Sequence, residues 1–256
     1  MPLATLANGT KTVMIQGMMH VGSEGFYKSV VYDLEKALTE DYVLYYEGVK
    51  SDPEGDEWFS KTLAGGGDLS TNYTQLGDIC GLQFQLDYFG MLAGDMAARP
   101  ERHVTADVST ADMKREYERL VAADPSYADK IAAEIGTTAV DGGSQANGIG
   151  ALLDMVQGAT PGQRSLIGTA CRGWMGWLLS RATAPSALDP IVVDFRNRNL
   201  ADLIISGPDK IYITYGAHHL PGIMELLKAS DPAWKLGSIK WSRVIDTPEN
   251  LEGELN

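Results

Sequence analysis

Hydrophobic positions near the start of the chain change from a continuous run to a helical period and back again. Lys11–Gln16 is a short apolar segment that ends at Gly17, as is typical of a buried strand. Ser23 then precedes apolar positions that recur every three to four residues until about Thr39, which predicts a helix capped by that serine. The next apolar segment, Tyr42–Gly48, predicts a second strand. This order predicts a right-handed βαβ unit with parallel strands.

The C-terminal part of the chain repeats this alternation of patterns. Residues 191–207 show a helical period that ends at Gly207, and the apolar run Lys210–Gly216 follows as a predicted strand. Leu220–Ser230 then predicts a helix, and Leu236–Ile245 predicts a last strand. We therefore expect an α/β fold in which a central mixed sheet is built from two related strand-helix-strand halves.

The residues between the two ends carry different patterns. Asp52–Gly81 is polar and rich in glycine, which predicts a long surface excursion. Ser109–Arg181 has mostly helical periods, interrupted at Gly142–Gly150, and predicts a helical insertion. We expect a single domain of three parts, a first half, the insertion and a second half, at residues 1–108, 109–187 and 188–256.

Composition and charge limit the partners that the protein can bind. The chain has 256 residues, of which 44% are hydrophobic, and its formal net charge of −13 argues against broad binding of nucleic acid. No window approaches the roughly 18 uncharged apolar residues of a membrane span. The nearest, Ser165–Ser180, carries Arg172 and is expected to form a buried helix. The sequence predicts a cytoplasmic protein, or an extracytoplasmic or membrane-tethered one if a targeting segment was removed.

The cysteine content favours a reducing compartment. Cys80 and Cys171 are too few and too far apart in sequence to indicate a disulfide framework. No Cys-x-x-Cys spacing is present for a zinc ribbon.

A histidine follows the first predicted strand of each half in the same register. Aligned without gaps, Lys11–His20 reads KTVMIQGMMH and Lys210–His219 reads KIYITYGAHH. The alignment makes the two final histidines equivalent and pairs His218 with Met19, so His218 is expected to pack or to support its neighbour. Because only the lysine, the glycine and the final histidine are identical, chance similarity of two buried strands is the alternative explanation.

The positions of three polar residues predict a metal site. His20, Glu47 and His219 each end or follow a predicted strand, and ligands of open α/β sheets bind at the carboxyl ends of the strands. Two imidazoles and a carboxylate suit a divalent transition metal, and an open position on it would hold a water of lowered pKa. The alternatives are histidines with purely structural hydrogen bonds and a Glu47 that pairs with a lysine or arginine.

Three ordered motifs resemble those of the TraB/PrgY/GumN family, which is related to the Tiki proteases. Gly17–Val49 resembles its opening motif, a Gly-x-x-His followed by a helix and a strand that ends in glutamate. Asp194–Ile204, DFRNRNLADLI, resembles its Arg-Asn helix, and Tyr215–Leu227, YGAHHLPGIMELL, resembles its second Gly-x-x-His block. His103–Met113, HVTADVSTADM, is similar to a looser family segment that precedes the helical region.

The resemblance implies a fold akin to the erythromycin esterase and ChaN-like group. It also implies a divalent metal, manganese or cobalt, with zinc as an alternative. By position, it assigns two metal-binding histidines, a strand-end acid that also acts in catalysis, and an Arg-Asn pair, which are His20, His219, Glu47, Arg196 and Asn197.

Arg196 carries the second catalytic assignment. It could hold a substrate oxygen by forked hydrogen bonds or stabilise a developing oxyanion, and its alternative is a structural salt bridge to Glu47 or another acid. Because Arg198-Asn199 repeats the dipeptide, the assignment could shift by two residues. Leu200-Ala201 at the position of the apolar-Ala pair of the family favours Arg196.

Four further residues are weaker candidates. Asp107, which with His103 flanks a short segment, could be the acid of the family there, and its alternative is helix capping near Ser109. Glu24, four residues after the first Gly-x-x-His histidine, could support that histidine or act as a general base, although acids in the first turn of a helix are ordinary. Asn197 and His218 could support the metal ligands or contact the substrate.

The sequence thus predicts a metal-dependent hydrolase with a peptide or protein substrate, in which activated water cleaves a peptide bond. A metal-dependent esterase or amidase is the alternative within enzymes. A binding or regulatory protein, like relatives in pheromone shutdown or haem binding, is the alternative outside them. The sequence leaves the formation of an oligomer open.

Overall fold

The strands predicted from the apolar runs form the centre of the molecule. The computed structural model describes residues 1–63, 69–134, 158–179 and 185–245. Its strands are β1 (Pro2–Ala7), β2 (Thr12–Met18), β3 (Val21–Gly22), β4 (Val43–Tyr46), β5 (Gln83–Phe84), β6 (His103–Thr105), β7 (Lys210–Gly216) and β8 (Lys235–Trp241). Six of these described strands make one sheet in the order β6-β4-β7-β2-β1-β8, and β3 pairs with β5.

Helices connect the strands and fill the residues between the two halves. They are α1 (Glu24–Thr39), α2 (Asp56–Thr62), α3 (Leu69–Cys80), α4 (Gln85–Phe89), α5 (Ala93–Ala98), α6 (Thr110–Ala123), α7 (containing residues 126–134), α8 (Pro161–Leu179), α9 (Arg196–Ser206) and α10 (Leu220–Ser230). Ser23 caps α1 as predicted, since its side chain accepts a hydrogen bond from the Phe26 N–H. The excursion predicted over Asp52–Gly81 contains α2 and α3, and α4 and α5 follow it; the sequence did not indicate these helices.

The sheet confirms the predicted α/β class and its mixed character. β7 lies between β2 and β4 and is parallel to both, whereas β1 is antiparallel to its neighbours β2 and β8. The units β2-α1-β4 and β7-α10-β8 therefore each join parallel strands, as two strand-helix-strand halves require. They are interleaved, because each connection passes over at least one strand of the other half or of the N-terminal hairpin.

The two halves place their helices on opposite faces of the sheet. Leu44 and Tyr46 of β4 pack in one core with the apolar side of α1, while Tyr45 packs in the other core with α9 and α10. Successive side chains of a strand point to opposite faces, so the same strand contributes to both cores. The apolar periods of α1 and α10 thus explain why the central strands are buried on both sides.

The first strand is not among the predicted elements. β1 forms a hairpin with β2, and the Asn8 side chain accepts a hydrogen bond from the Lys11 N–H at 2.9 Å across the turn. Its sequence, PLATLA, contains small residues and only two leucines, so its apolar signal is weak. Pairing with β2 on one side and β8 on the other makes it a strand.

The structure corrects the interpretation of the cysteines. Cys80 at the end of α3 and Cys171 in α8 form a disulfide, with 5.1 Å between their Cα atoms. Two cysteines whose spacing does not indicate a disulfide framework are therefore paired in the fold. Their separation of 91 residues hides the proximity, which arises because α3 and α8 pack together.

The helix predicted over Ser165–Ser180 exists as α8, but it is not buried. Leu166, Trp174 and Trp177 are 69%, 54% and 50% exposed, because α8 packs mainly against α3 on one side. In the described parts of the chain, no helix is long and apolar enough to cross a membrane. The predicted break at Gly142–Gly150 lies outside the described residues.

Candidate functional site

The carboxyl ends of four parallel strands bring the predicted site residues to one edge of the sheet. His20 follows β2, Glu47 follows β4, Asp107 follows β6 and His219 follows β7. β2 and β7 are neighbours, and their chains leave toward opposite faces, one into α1 and the other toward α10. Such a divergence is a topological switch point, where a crevice opens off the strand ends and ligands of open α/β sheets bind.

Arg196 is the centre of a buried ionic cluster at this edge. Its Nε donates to Asp107 Oδ1 at 3.0 Å, and its Nη2 donates to Asp107 Oδ2 at 2.5 Å and to Glu47 Oε1 at 2.7 Å. The arginine is the first residue of α9, directly after the π-helical segment Pro190–Phe195. The acids follow β4 and β6 of the first half and the arginine belongs to the second, so the cluster joins the two halves of the chain.

Both members of the Arg196–Asp107 pair are held in their charged forms. Burial alone would raise the pKa of Asp107, but hydrogen bonds and charge from Arg196 and the backbone N–H groups of Val108 and Gly48 hold it below its ordinary value. Burial alone would lower the pKa of Arg196, and Asp107 together with Glu47 instead raises it. The paired geometry thus compensates charges that would be costly to bury alone.

His219 lies buried beside this cluster with its ring orientation fixed. Its Nδ1 is 2.8 Å from Asn197 Oδ1, and because a carbonyl oxygen only accepts, the proton belongs on Nδ1. The lone pair is therefore on Nε2, which lies 3.4 Å from Arg196 Nη1 and 3.8 Å from Glu47 Oε1. Burial and the charge of Arg196 lower the pKa of His219 to about 4, so the imidazole is neutral at pH 7.

Glycines at both ends of the second motif permit this close packing. A Cβ on Gly216 would lie 3.3 Å from Glu47 Oε2, which accepts a hydrogen bond from the Gly216 N–H at 2.6 Å. A Cβ on Gly222 would collide with the amide nitrogen of Asn197. The Gly-x-x-His and Leu-Pro-Gly signals of the sequence thus correspond to real close approaches around His219.

The histidine doublet divides into one buried and one exposed residue. His219 is buried, whereas His218 is exposed and does not pack as one alternative expected.

The Arg-Asn doublet divides in the same way, into one buried pair and one whose arginine points away from the site. Arg196 and Asn197 are buried at the site, while Arg198 points away and pairs with Glu116 at 2.7 Å.

His20 stands at the same edge in a different environment. Its Nδ1 is 3.0 Å from Gln85 Nε2, and its ring lies 4.4 Å from that of Tyr73 in α3. Although the residue as a whole is exposed, partial desolvation of the ring lowers its pKa; the charge of Glu47 opposes this shift and that of Arg196 adds to it. His20 is therefore within electrostatic reach of the buried cluster.

The donors at this edge fit a divalent cation in part. Within the described residues, no group of three His, Cys, Asp or Glu side chains is close enough to hold a metal ion. His219 and Glu47 do lie together, with the lone pair of Nε2 beside a carboxylate oxygen. His20, on the neighbouring strand end, would have to leave its present contact with Gln85 or turn its ring to complete the set.

The weaker candidates have ordinary partners. Glu24 is exposed and pairs with Lys28 at 2.6 Å along α1. His103 contacts Tyr46 at 2.8 Å and Asp95 at 2.7 Å, away from the cluster. Ser109 caps α6 with Asp112, so the expected helix capping is present beside the contact of Asp107 with Arg196.

Two residues of the site, Gln85 and Tyr73, are not among the predicted ones. Tyr73 lies within the polar excursion and Gln85 just after it, 53 and 65 residues after His20, and no spacing in the sequence connects them with this histidine. An isolated aromatic and an isolated amide carry no signal of their own. Only the pairing of β3 with β5 and the packing of α3 bring them to the histidine.

Comparison with known proteins leaves the site to be interpreted from its own geometry. The chain matches no protein-family model, no curated protein and no solved structure with which it was compared. Its function therefore has to follow from the contacts of His219, Glu47, Arg196 and His20.

Proposed function

We propose that the protein is a divalent-metal-dependent hydrolase that cleaves peptide bonds in a peptide or protein. The orientation of His219 carries the proposal. Asn197 holds its Nδ1, and the unprotonated Nε2 lies beside Glu47. Histidines that bind metals almost always donate their other ring N–H to a carbonyl, a carboxylate or water, and such a contact fixes the ring for binding.

The residues that would hold the cation are His219, Glu47 and His20. Manganese or cobalt is expected from the family resemblance, and zinc is the alternative. A bound divalent cation would polarise a substrate carbonyl and lower the pKa of a water. The location at the switch point between β2 and β7 supports the proposal, since an extended substrate could lie in the crevice where these strands diverge.

Glu47 and Arg196 have separate parts in this proposal. Glu47 accepts hydrogen bonds from Arg196 at Oε1 and from the Gly216 N–H at Oε2, so both of its oxygens are held in place. The carboxylate can bind a cation or take up a proton without first ordering its side chain. The Nε and Nη2 groups of Arg196 donate hydrogen bonds to the two acids. Its main part is therefore to position Glu47 and to supply a fixed positive charge.

The same ionic cluster favours a second candidate function, a binding or regulatory protein without catalysis. Arg196 forms ion pairs with both Asp107 and Glu47, so the three charged side chains compensate one another as in a purely structural network. In that case the edge of the sheet would bind a ligand such as a metal, a peptide or haem without turning it over.

Metal analysis beside peptide cleavage tests the proposal. Protein purified without chelator should contain stoichiometric metal and cleave members of a broad peptide library when manganese or cobalt is added. His219→Ala and His20→Ala should lose both properties while circular dichroism shows an intact fold. His218→Ala is the matched control, because it removes the exposed histidine next to His219 and should keep the metal.

Each outcome decides between the candidates. Metal content that survives both His20→Ala and His219→Ala would exclude the site. Stoichiometric metal without cleavage of any peptide, or a haem absorbance band on reconstitution, would favour the binding protein. Cleavage of ester or non-peptide amide substrates alone would favour the esterase or amidase.

A further inference from the structure

The two Gly-x-x-His histidines share a feature that their motif does not contain. Each has a side-chain amide at Nδ1, which is Asn197 for His219 at 2.8 Å and Gln85 for His20 at 3.0 Å. The amides come from unrelated places, one from α9 and the other from the first residue of α4. The two contacts have opposite direction, because Asn197 presents its oxygen to the ring and Gln85 presents its nitrogen.

The backbone holds Gln85 beside His20 independently of its side chain. β3 begins directly after His20 and pairs antiparallel with β5, so that Val21 faces Phe84. In the same register, the Gln85 N–H donates to the carbonyl oxygen of His20 at 3.0 Å. Since these contacts use only the main chain, a change of the Gln85 side chain leaves the pairing of the segments in place.

We infer that Gln85 is a positioning residue for His20, which fixes the orientation of its ring and holds its proton on Nε2, whereas Asn197 holds the proton of His219 on Nδ1. The consequence for metal binding rests on the proposed function. The consequence for the ring itself does not. Tyr73 adds to the constraint, because its ring packs over the imidazole at an interplanar angle of 31°.

The physical basis is the single proton of a neutral imidazole. An amide oxygen at Nδ1 requires the proton there and leaves a lone pair on Nε2, whereas an amide nitrogen at Nδ1 requires the proton on Nε2. Gln85 places its nitrogen toward the ring, and a half-turn of the amide exchanges nitrogen for oxygen at nearly the same position. In the orientation of this structure Gln85 therefore selects the His20 tautomer with its proton on Nε2, and the amide has to turn, or leave the ring, before that nitrogen can bind a cation.

The proton position can be measured without any metal. In chelator-treated protein, long-range ¹H–¹⁵N NMR of the histidine rings should show one tautomer for His20, whose signals are identified by their loss in His20→Gln. Gln85→Leu should give the mixed tautomers of a free imidazole. Gln83→Leu, which changes an exposed glutamine two residues earlier in β5, should leave the His20 signals unchanged.

A second measurement examines the consequence for the cation. By titration calorimetry with manganese or cobalt, Gln85→Leu should strengthen binding by about 5- to 10-fold, because the hydrogen bond that holds the His20 proton on Nε2 no longer has to be broken. Gln85→Glu should also bind more tightly than the unaltered protein, because a carboxylate only accepts hydrogen bonds, places the His20 proton on Nδ1 and leaves the lone pair of Nε2 free. If Gln85→Leu fails to fold, Gln85→Met removes the amide with a more flexible side chain.

The two measurements separate failure of the inference from failure of the proposed function. An unchanged His20 tautomer in Gln85→Leu overturns the inference, whatever the metal does. Absence of metal binding in the unaltered protein overturns the proposed function, and the NMR result still decides the role of Gln85. Equal metal affinity of the unaltered protein and Gln85→Leu would also overturn the inference.

Discussion

The two histidines at the edge of the sheet lie in different surroundings, one in a buried ionic cluster and the other in an exposed position. The His219 corner consists of Glu47, Asp107, Arg196, Asn197 and His219, and charged hydrogen bonds hold it between the sheet and α9. The His20 corner consists of His20, Tyr73 and Gln85. His20 is exposed there while Tyr73 and Gln85 are half-buried, and α3 and the small β3-β5 pair hold these residues outside the main sheet.

The difference shows that a repeated motif does not produce equivalent sites. Both corners have a glycine and a histidine at the end of a parallel strand, but β7 follows α9, which supplies Arg196 and Asn197, while β2 follows a short hairpin. The first corner is fixed by buried groups that cannot leave without losing their partners. The second is held by fewer buried contacts, and we expect it to open locally at a lower free-energy cost than the first.

Removing the arginine should be the most damaging change to the His219 corner. Arg196→Met leaves Asp107 buried without its cation, and breaking a buried pair in this way costs about 3–5 kcal/mol. Urea unfolding should show a lower free energy of unfolding by that amount. Arg198→Met, which breaks the neighbouring pair on a side chain that is 47% exposed, should cost about 1 kcal/mol or less.

A double change makes this prediction sharper. Arg196→Met combined with Asp107→Leu should recover part of the loss, because the uncompensated buried carboxylate is then removed as well. Equal losses for Arg196→Met and Arg198→Met would instead show that the corner is solvated and that the contrast with His20 is false.

The neutral imidazole of His219 should make the stability of the metal-free protein depend on pH. The unfolded chain protonates this histidine below about pH 6.5, and the folded protein does so only below about 4. Its contribution is therefore complete above pH 6.5 and is lost as the pH falls toward 4, with a total of about 3 kcal/mol. Unfolding free energies in chelator across this range should show the slope. It should become smaller in His219→Gln, where the lowered pKa of His20 still contributes, and stay the same in His218→Gln; a slope unchanged in His219→Gln would contradict the assignment.

The disulfide should matter for the His20 corner more than for the His219 corner. Cys80 closes α3, the helix that carries Tyr73, so breaking its bond to Cys171 loosens the support of His20. Cys80→Ala with Cys171→Ala should lower the free energy of unfolding by about 2–4 kcal/mol. Hydrogen exchange should accelerate in α3 and α8 while α9 and β7 stay protected. Uniform acceleration across all four elements would mean that the corners are not independent.

The parts of the site that follow strand ends could be predicted from the sequence, because strand direction brings distant residues to one edge. Glu47 and His219 are examples. The choice of Arg196 over Arg198 as the site arginine came from the neighbouring apolar pair Leu200-Ala201. The supports of His20 could not be predicted. Gln85 depends on a pairing of two-residue strands, and the disulfide depends on the packing of α3 against α8. Neither leaves a periodic pattern along the chain.

β1 illustrates the same limit for the fold. Its small residues carry little apolar signal, and it is a strand because β2 and β8 offer hydrogen-bond partners on both sides. Local patterns predict elements that bury a strong apolar face. They do not predict elements that form mainly through backbone hydrogen bonds to neighbouring strands.

A single methyl group should perturb the His219 corner least, yet detectably. In Gly222→Ala the new Cβ collides with the Asn197 amide that holds His219, and such overpacking costs about 1–3 kcal/mol. Gly173→Ala is the matched control, because Gly173 is also helical but has nothing within 4 Å of a new Cβ, so it should gain about 0.5–1 kcal/mol from helix propensity. Urea unfolding of both variants should therefore give shifts of opposite sign. Shifts of the same sign and size would mean that Asn197 is not packed tightly against α10 and that His219 is less firmly held than its contacts indicate.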